Sequence, residues 1–253
     1  MRIIDFHTHP SYNTTAKFGY DMTEELFIED EKRAGISLAC GSAFQEDYML
    51  SGEPIDKIVT TLNDAVWAWH EKAPDFIYPG VTIHPDFPEL SEKAIRKAYD
   101  RGFRLVGELV PEYLGCKSLV SDGFMELYAL CRDLDMVLSI HSPDAAAPIA
   151  KAFPTMPVVL AHPGYNESYR NKLELAGMFD NLYLDLSGTG IAASGMLRFG
   201  IDRIGAEKFL FGTDFPGYNP AMYVESVLFE RLTDTERESV FHKNAEYLLG
   251  LRV

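Results

Sequence analysis

The chain has 253 residues, with 23 Lys and Arg against 38 Asp and Glu. The resulting formal charge of −15 argues against a nucleic-acid backbone partner, which requires a basic stripe. The hydrophobic content of 47% suffices for a core, and no apolar run approaches the ~18 residues of a membrane span. Cys40, Cys116 and Cys131 are odd in number and lack CxxC spacing, which argues against a disulfide framework and for a reduced, cytoplasmic setting. The first residues lack the cationic stretch and apolar region of a secretory leader.

In chain order, short apolar runs alternate with helical patterns. The runs at 3–7, 37–43, 76–83, 104–109, 136–141, 158–162, 182–186 and 209–212 read as eight strands. Several are apolar almost throughout, as parallel strands buried on both faces are. Helices are expected over 22–34, 56–73, 89–101, 124–134, 143–152, 168–177, 192–204, 218–229 and 233–249. Residues 44–54 form the longest connection and read as a candidate lid. Eight strand–helix units of roughly 30 residues match a (β/α)8 TIM barrel of ~250 residues, here a single domain over 1–253. The alternative, a doubly wound open sheet, lacks a GxGxxG after the first strand.

In such a barrel the chemistry sits at the strands' C-terminal ends. There the chain places His7 and His9, then Glu108, His141, His162 and Asp214. In a strand, residues two apart share a side, so His7-x-His9 can aim two imidazoles at one point. Six imidazoles and carboxylates on five strands make a nitrogen–oxygen metal site for one or two divalent ions. Zinc is the first expectation, with manganese or iron as alternatives.

The segments Asp5-Phe6-His7-Thr8-His9-Pro10, His141, His162, 181–187, Phe211-Gly212-Thr213-Asp214-Phe215-Pro216 and 244–251 resemble the amidohydrolase superfamily, in its amidohydrolase-related (amidohydrolase 2) branch. The resemblance implies a metal-dependent barrel enzyme with His7, His9, His141 and Asp214 around the metal. The third and fourth strands, Gly80-Val81-Thr82-Ile83-His84-Pro85 and Val106-Gly107-Glu108-Leu109, are similar to TatD-type hydrolases, where the fourth-strand Glu bridges two metals. The superfamily's fourth-strand lysine is missing, and Glu108 can take its place. One ion would then lie near His7, His9, Asp214 and Glu108, the other near Glu108, His141 and His162.

Such a site implies a hydrolase cleaving an amide, lactone or ester of a small molecule, with Asp214 as general base and His162 or His141 stabilising the oxyanion. The branch also contains non-oxidative decarboxylases of aromatic or unsaturated acids, the second reading. A TatD-like nuclease or phosphoesterase and a non-catalytic metal-binding barrel follow. A homodimer is implied by the family alone.

Other polar residues have narrower expectations. Asp5 would orient the first-strand histidines. Tyr12, Glu112, Tyr113, Tyr165 and Tyr218 follow strand ends and are candidates to line a substrate pocket; so is His84, whose first reading is structural. Lys117 and Arg170 are the candidate cations at the mouth, each also readable as a solvated side chain. His70 reads as a surface residue of its helix, and His242 as remote from the site.

Overall fold

A computed structural model describes residues 1–12, 18–19, 21–44, 52–191 and 193–251. The strands are β1 (Ile4–Thr8), β2 (Leu38–Gly41), β3 (Ile77–Val81), β4 (Leu105–Leu109), β5 (Val137–Ile140), β6 (Val158–Leu160), β7 (Leu182–Asp185) and β8 (Phe209–Leu210). All pair in parallel, in chain order, as one eight-stranded sheet. Phe6 N donates to Phe211 O and Asp214 N to His7 O, both at 2.8 Å, and these bonds close the barrel between β1 and the end of β8.

The helices between strands are α1 (Glu24–Arg33), α2 (Ile55–Lys72), α3 (Pro88–Asp100), α4 (Asp122–Asp133), α5 (Pro143–Ala152), α6 (Glu167–Met178) and α7 (Met196–Ile204). After β8 come α8 (Pro220–Phe229), α9 (Asp234–Glu238) and α10 (Asn244–Leu249). Three of these differ from expectation for local reasons. The expected 192–204 helix starts only at Met196, because Gly195 takes a left-handed φ of 82° that a helix cannot contain. The expected 218–229 helix starts at Pro220, capped by the Asn219 side chain accepting from Ala221 N at 3.0 Å. The expected 233–249 helix is broken by a π turn at Ser239–Lys243. Of the candidate lid at 44–54, residues 45–51 lie outside the described residues. Among the described residues, no helix is long and apolar enough to cross a membrane.

The barrel interior holds Ile4, Phe6, Cys40, Tyr78, Leu105, Val137, Val159 and Leu210. Ala245, Leu248 and Leu249 of α10 join that cluster from below. A second apolar layer, including Phe27, Val66, Ile95, Phe124 and Leu173, packs the helices onto the outside of the sheet. His70 belongs to the protein's interior: it is buried, its Nδ1 lies 2.7 Å from Ile77 O, and its ring packs on Phe103. The surface expectation is thus corrected: α2 lays this face on β3, and the strand's carbonyl satisfies the imidazole.

Two strands break their own alternation just below the mouth. In β1, Ile4 and Phe6 point inward, so strict alternation would send His7 outward. A register shift between Asp5 and Thr8 resets the parity, and both histidines face the mouth. The shift fits because Gly41 lies opposite, where a Cβ would stand 1.8 Å from Thr8 O. In β4 a second shift lies between Val106 and Leu109, built on Gly107 at φ 95°, and it turns Glu108 inward above Leu105.

Candidate metal centre

His7 and His9 bring their Nε2 atoms to 3.1 Å of each other. His7 Nδ1 lies 2.8 Å from Asp185 Oδ2, and His9 Nδ1 lies 3.1 Å from Ser42 O. Both acceptors favour a proton on Nδ1, which leaves two Nε2 lone pairs facing one point. Glu108 Oε2 stands 3.3 Å from His7 Nε2 and 3.5 Å from His9 Nε2. Asp214 Oδ1 stands 3.2 Å from His9 Nε2 and 3.9 Å from His7 Nε2. Four Lewis bases thus converge with no donor among them, and a divalent cation fits this donor set.

The other oxygen of Glu108 faces a different pair. Oε1 lies 2.8 Å from His141 Nδ1 and 3.4 Å from His162 Nε2. His162 Nδ1 lies 3.0 Å from Ser187 Oγ, whose hydroxyl donates to Asp185 Oδ1 at 2.5 Å. Asp185 Oδ1 also accepts from His162 N at 3.2 Å, so one buried carboxylate holds His7 and His162 together.

Among the described residues, two sets bring their ligand atoms within 4.8 Å of one another: His7, His9 and Asp214, and His7, Glu108 and His162. His141 reaches the cluster through Glu108 from the opposite side, with its side chain 44% exposed.

The electrostatics express the same demand for positive charge. Burial pushes the Glu108 carboxyl up, but the His7, His141 and His162 imidazoles outweigh it and hold it well below the usual range. Burial disfavours a charged His9, yet Asp214 and Glu108 lift its pKa to about 9. His7 is lifted well above its ordinary value by Asp185 and Glu108, against its burial. Asp185 is buried, and His7 draws it down to about 2 despite that burial.

The remaining residues sort around this centre. Asp5 orients His7 through its backbone: Oδ1 accepts from His7 N at 3.1 Å and from Thr213 N at 3.0 Å, tying β1 to the segment that carries Asp214. Tyr12 and Tyr113 flank Phe44, with ring centroids at 5.0 and 4.5 Å, and Phe44 lies 5.1 Å from the His9 ring. His84 turns both ring nitrogens to the backbone, Nε2 at 2.9 Å from Leu114 O and Nδ1 accepting from Asp86 N at 3.2 Å. It is buried and stands outside the described lining of the mouth cavity. Tyr165 is exposed and lines an outer groove with Arg170, whose guanidinium lies over Phe199, instead of the mouth. Glu112 and Lys117 are exposed on the loop after β4. His242 pairs with Glu246, itself bound to Arg2 ahead of β1, at the opposite end of the barrel.

The mouth is a cavity of about 450 Å³ whose lining includes His141, His162, Ser168, Lys172, Asp214 and Tyr218. The sequence points to no individual role for Asp185, Ser187 or Lys172, and to Phe44 only as part of the candidate lid. Asp185 and Ser187 were within reach of the strand-end rule, since they close β7 as His141 follows β5. Lys172 carried no signal, because a lysine within a helix reads as solvated.

The amidohydrolase family profile matches residues 4–251. No curated protein matches the chain. Among solved structures, a putative amidohydrolase from Staphylococcus aureus superposes with a TM-score of 0.75 at 15% identity, covering 99% of this chain and 100% of that one. An uncharacterized TIM-barrel protein from Bordetella bronchiseptica gives 0.76 at 20% identity, with 99% of both chains covered. A dihydroxybenzoic acid decarboxylase from a Polaromonas species, solved with manganese and 2-nitroresorcinol, gives 0.67 at 14% identity, covering 100% of this chain and 97% of that one.

Proposed function

The chain belongs to the amidohydrolase family of metal-dependent enzymes, and from that premise we propose a two-metal hydrolase that cleaves an amide, lactone or ester bond of a small molecule. One observation carries the reading: the two oxygens of Glu108 face two separate imidazole pairs, His7 with His9 and His141 with His162. A carboxylate so placed is disposed to bridge two ions, one held with His7, His9 and Asp214, the other with His141 and His162. Zinc is the expected metal, given four imidazoles among the ligands.

When bound, the metal lowers the pKa of water towards ~7 and polarises a carbonyl. The protein supplies the rest. Asp214 is 20% exposed at the mouth, the one carboxylate of the centre that also lines the cavity. It takes the proton of the attacking water and returns it to the leaving group. Glu108 is only 4% exposed, with Oε1 facing His141 and Oε2 facing His7 and His9, which suits a fixed bridge and not a base. The Asp185–Ser187 pair keeps His7 and His162 in the tautomers that present Nε2 to the centre. A cavity of about 450 Å³ suits a small molecule, and the charge of −15 opposes a polynucleotide.

A second reading, a non-oxidative decarboxylase with one metal, draws on the fold shared with the Polaromonas decarboxylase. Elemental analysis of wild type and Glu108→Gln separates the two. About two metals per chain, falling to one in the variant, supports the hydrolase. One metal, unchanged in the variant, favours the decarboxylase, and none after reconstitution overturns both.

A further inference from the structure

Lys172 on α6 is buried, with 8% of its surface exposed, yet it lines the mouth cavity beside His162 and Asp214. Among the described residues it is the sole Lys or Arg in that lining. Its Nζ donates to the carbonyls of Ala161 (3.1 Å) and His162 (2.5 Å). Among the described residues, no carboxylate lies within 4.0 Å of it. A buried ammonium with only neutral partners is costly, and the cost is offset when an anion reaches it. Two of its three donors are spent on carbonyls, which leaves one for a ligand.

The surrounding wall points the same way. Ser168, Thr189 and Tyr218 contribute hydroxyls to the same cavity, and among the described residues Asp214 is the only carboxylate in the lining. Among the described residues, none of these three hydroxyls has a hydrogen-bond partner in the protein. One ammonium and three free hydroxyls make a wall rich in donors on a chain whose charge of −15 otherwise repels anions.

We propose that Lys172 reads a carboxylate on the substrate, so that the molecule cleaved here bears an acidic group in addition to the amide, lactone or ester bond. This rests on the hydrolase reading and narrows it to acidic substrates.

The test uses two probes that share a metal-binding head: acetohydroxamate, and succinic acid monohydroxamate, which adds a carboxylate. Each is titrated calorimetrically into metal-loaded wild type, Lys172→Met and Lys172→Arg, with metal content measured on the same samples. The expected result is that the carboxylate tightens binding to wild type about 10- to 100-fold. That advantage falls to about one in Lys172→Met and is partly restored in Lys172→Arg, with acetohydroxamate affinity steady throughout.

A ratio near one in wild type, or a ratio that survives in Lys172→Met, overturns the proposal. So does loss of acetohydroxamate binding in Lys172→Met, because Lys172 would then serve only to hold the His162 backbone. If wild type takes up no metal, the hydrolase reading fails instead. Succinate against succinamide on that metal-free protein then decides Lys172 alone, equal affinities overturning the anion role.

Discussion

Asp185 and His7 meet over the end of β8, Oδ2 to Nδ1 at 2.8 Å, from the end of β7 to the end of β1. Asn in place of Asp185 keeps the shape but replaces the charge, so the imidazole becomes a poorer ligand and its tautomer is less firmly set. Asp185→Asn is expected to weaken metal binding about 10- to 100-fold while the protein stays folded. Competition with a chelator of known affinity, beside circular dichroism, checks both halves.

Gly107 is tested by adding a single methyl group. A Cβ there would stand 2.2 Å from Ser139 O, at φ 95°. Gly107→Ala is expected to cost at least about 2 kcal/mol in urea unfolding, combining backbone strain with a clash that no side chain can relieve. Gly102→Ala is the control: φ is 86° but nothing lies within 4 Å, so the expected loss is about 1–2 kcal/mol.

Asn181 secures the connection between α5 and β6. Its Nδ2 donates to Ala150 O, Phe153 O and Met156 O at 3.2, 2.9 and 2.9 Å. Asn181→Leu would remove that donor from Ala150 O and Met156 O in a partly buried turn, while Phe153 O keeps Met156 N at 3.0 Å, with an expected cost of about 2–4 kcal/mol. Metal stoichiometry is expected to hold, because that turn lies at the N-terminal end of β6, away from the mouth. Thermal melting and elemental analysis together test this.

The cysteines give a pH-dependent observable. Burial raises Cys131 to about 12 and, with help from Asp86, Cys116 to about 11. Since the thiolate is the reactive form, iodoacetamide at neutral pH is expected to leave the native protein almost unlabelled. Labelling at Cys116, the least buried of the three, should then rise about tenfold per pH unit towards pH 10. Intact-mass spectrometry over a pH series measures it, and rapid labelling at pH 7 would contradict it.

The barrel was legible because each strand is a compact apolar run. Val158–Leu160 and Leu182–Asp185 began where the pattern placed them. Helix starts were less legible where one residue decides them, as Gly195 and Asn219 do. Within the candidate site, residues contributed by strand ends could be found by position: the structure places His7, His9, Glu108, His141, His162 and Asp214 at one mouth. Contacts that depend on how a helix is rotated, such as those of Lys172 and His70, leave no trace in spacing. In β1 the HxH spacing alone would turn both imidazoles away from the axis, and the register shift between Asp5 and Thr8 brings them to the mouth.

That broken alternation has an evolutionary consequence. A strictly pleated strand would draw its interior packing and its polar tip from one parity of positions, so a shift of frame would disturb both at once. In β1 the inward apolar residues are Ile4 and Phe6, and the polar tip is His7 and His9, which belong to opposite parities. The lower barrel can therefore drift among apolar residues of similar volume without moving the tip. Insertion or deletion of one residue between Asp5 and Thr8 would be far less tolerated than substitution there, because it would exchange the two rows.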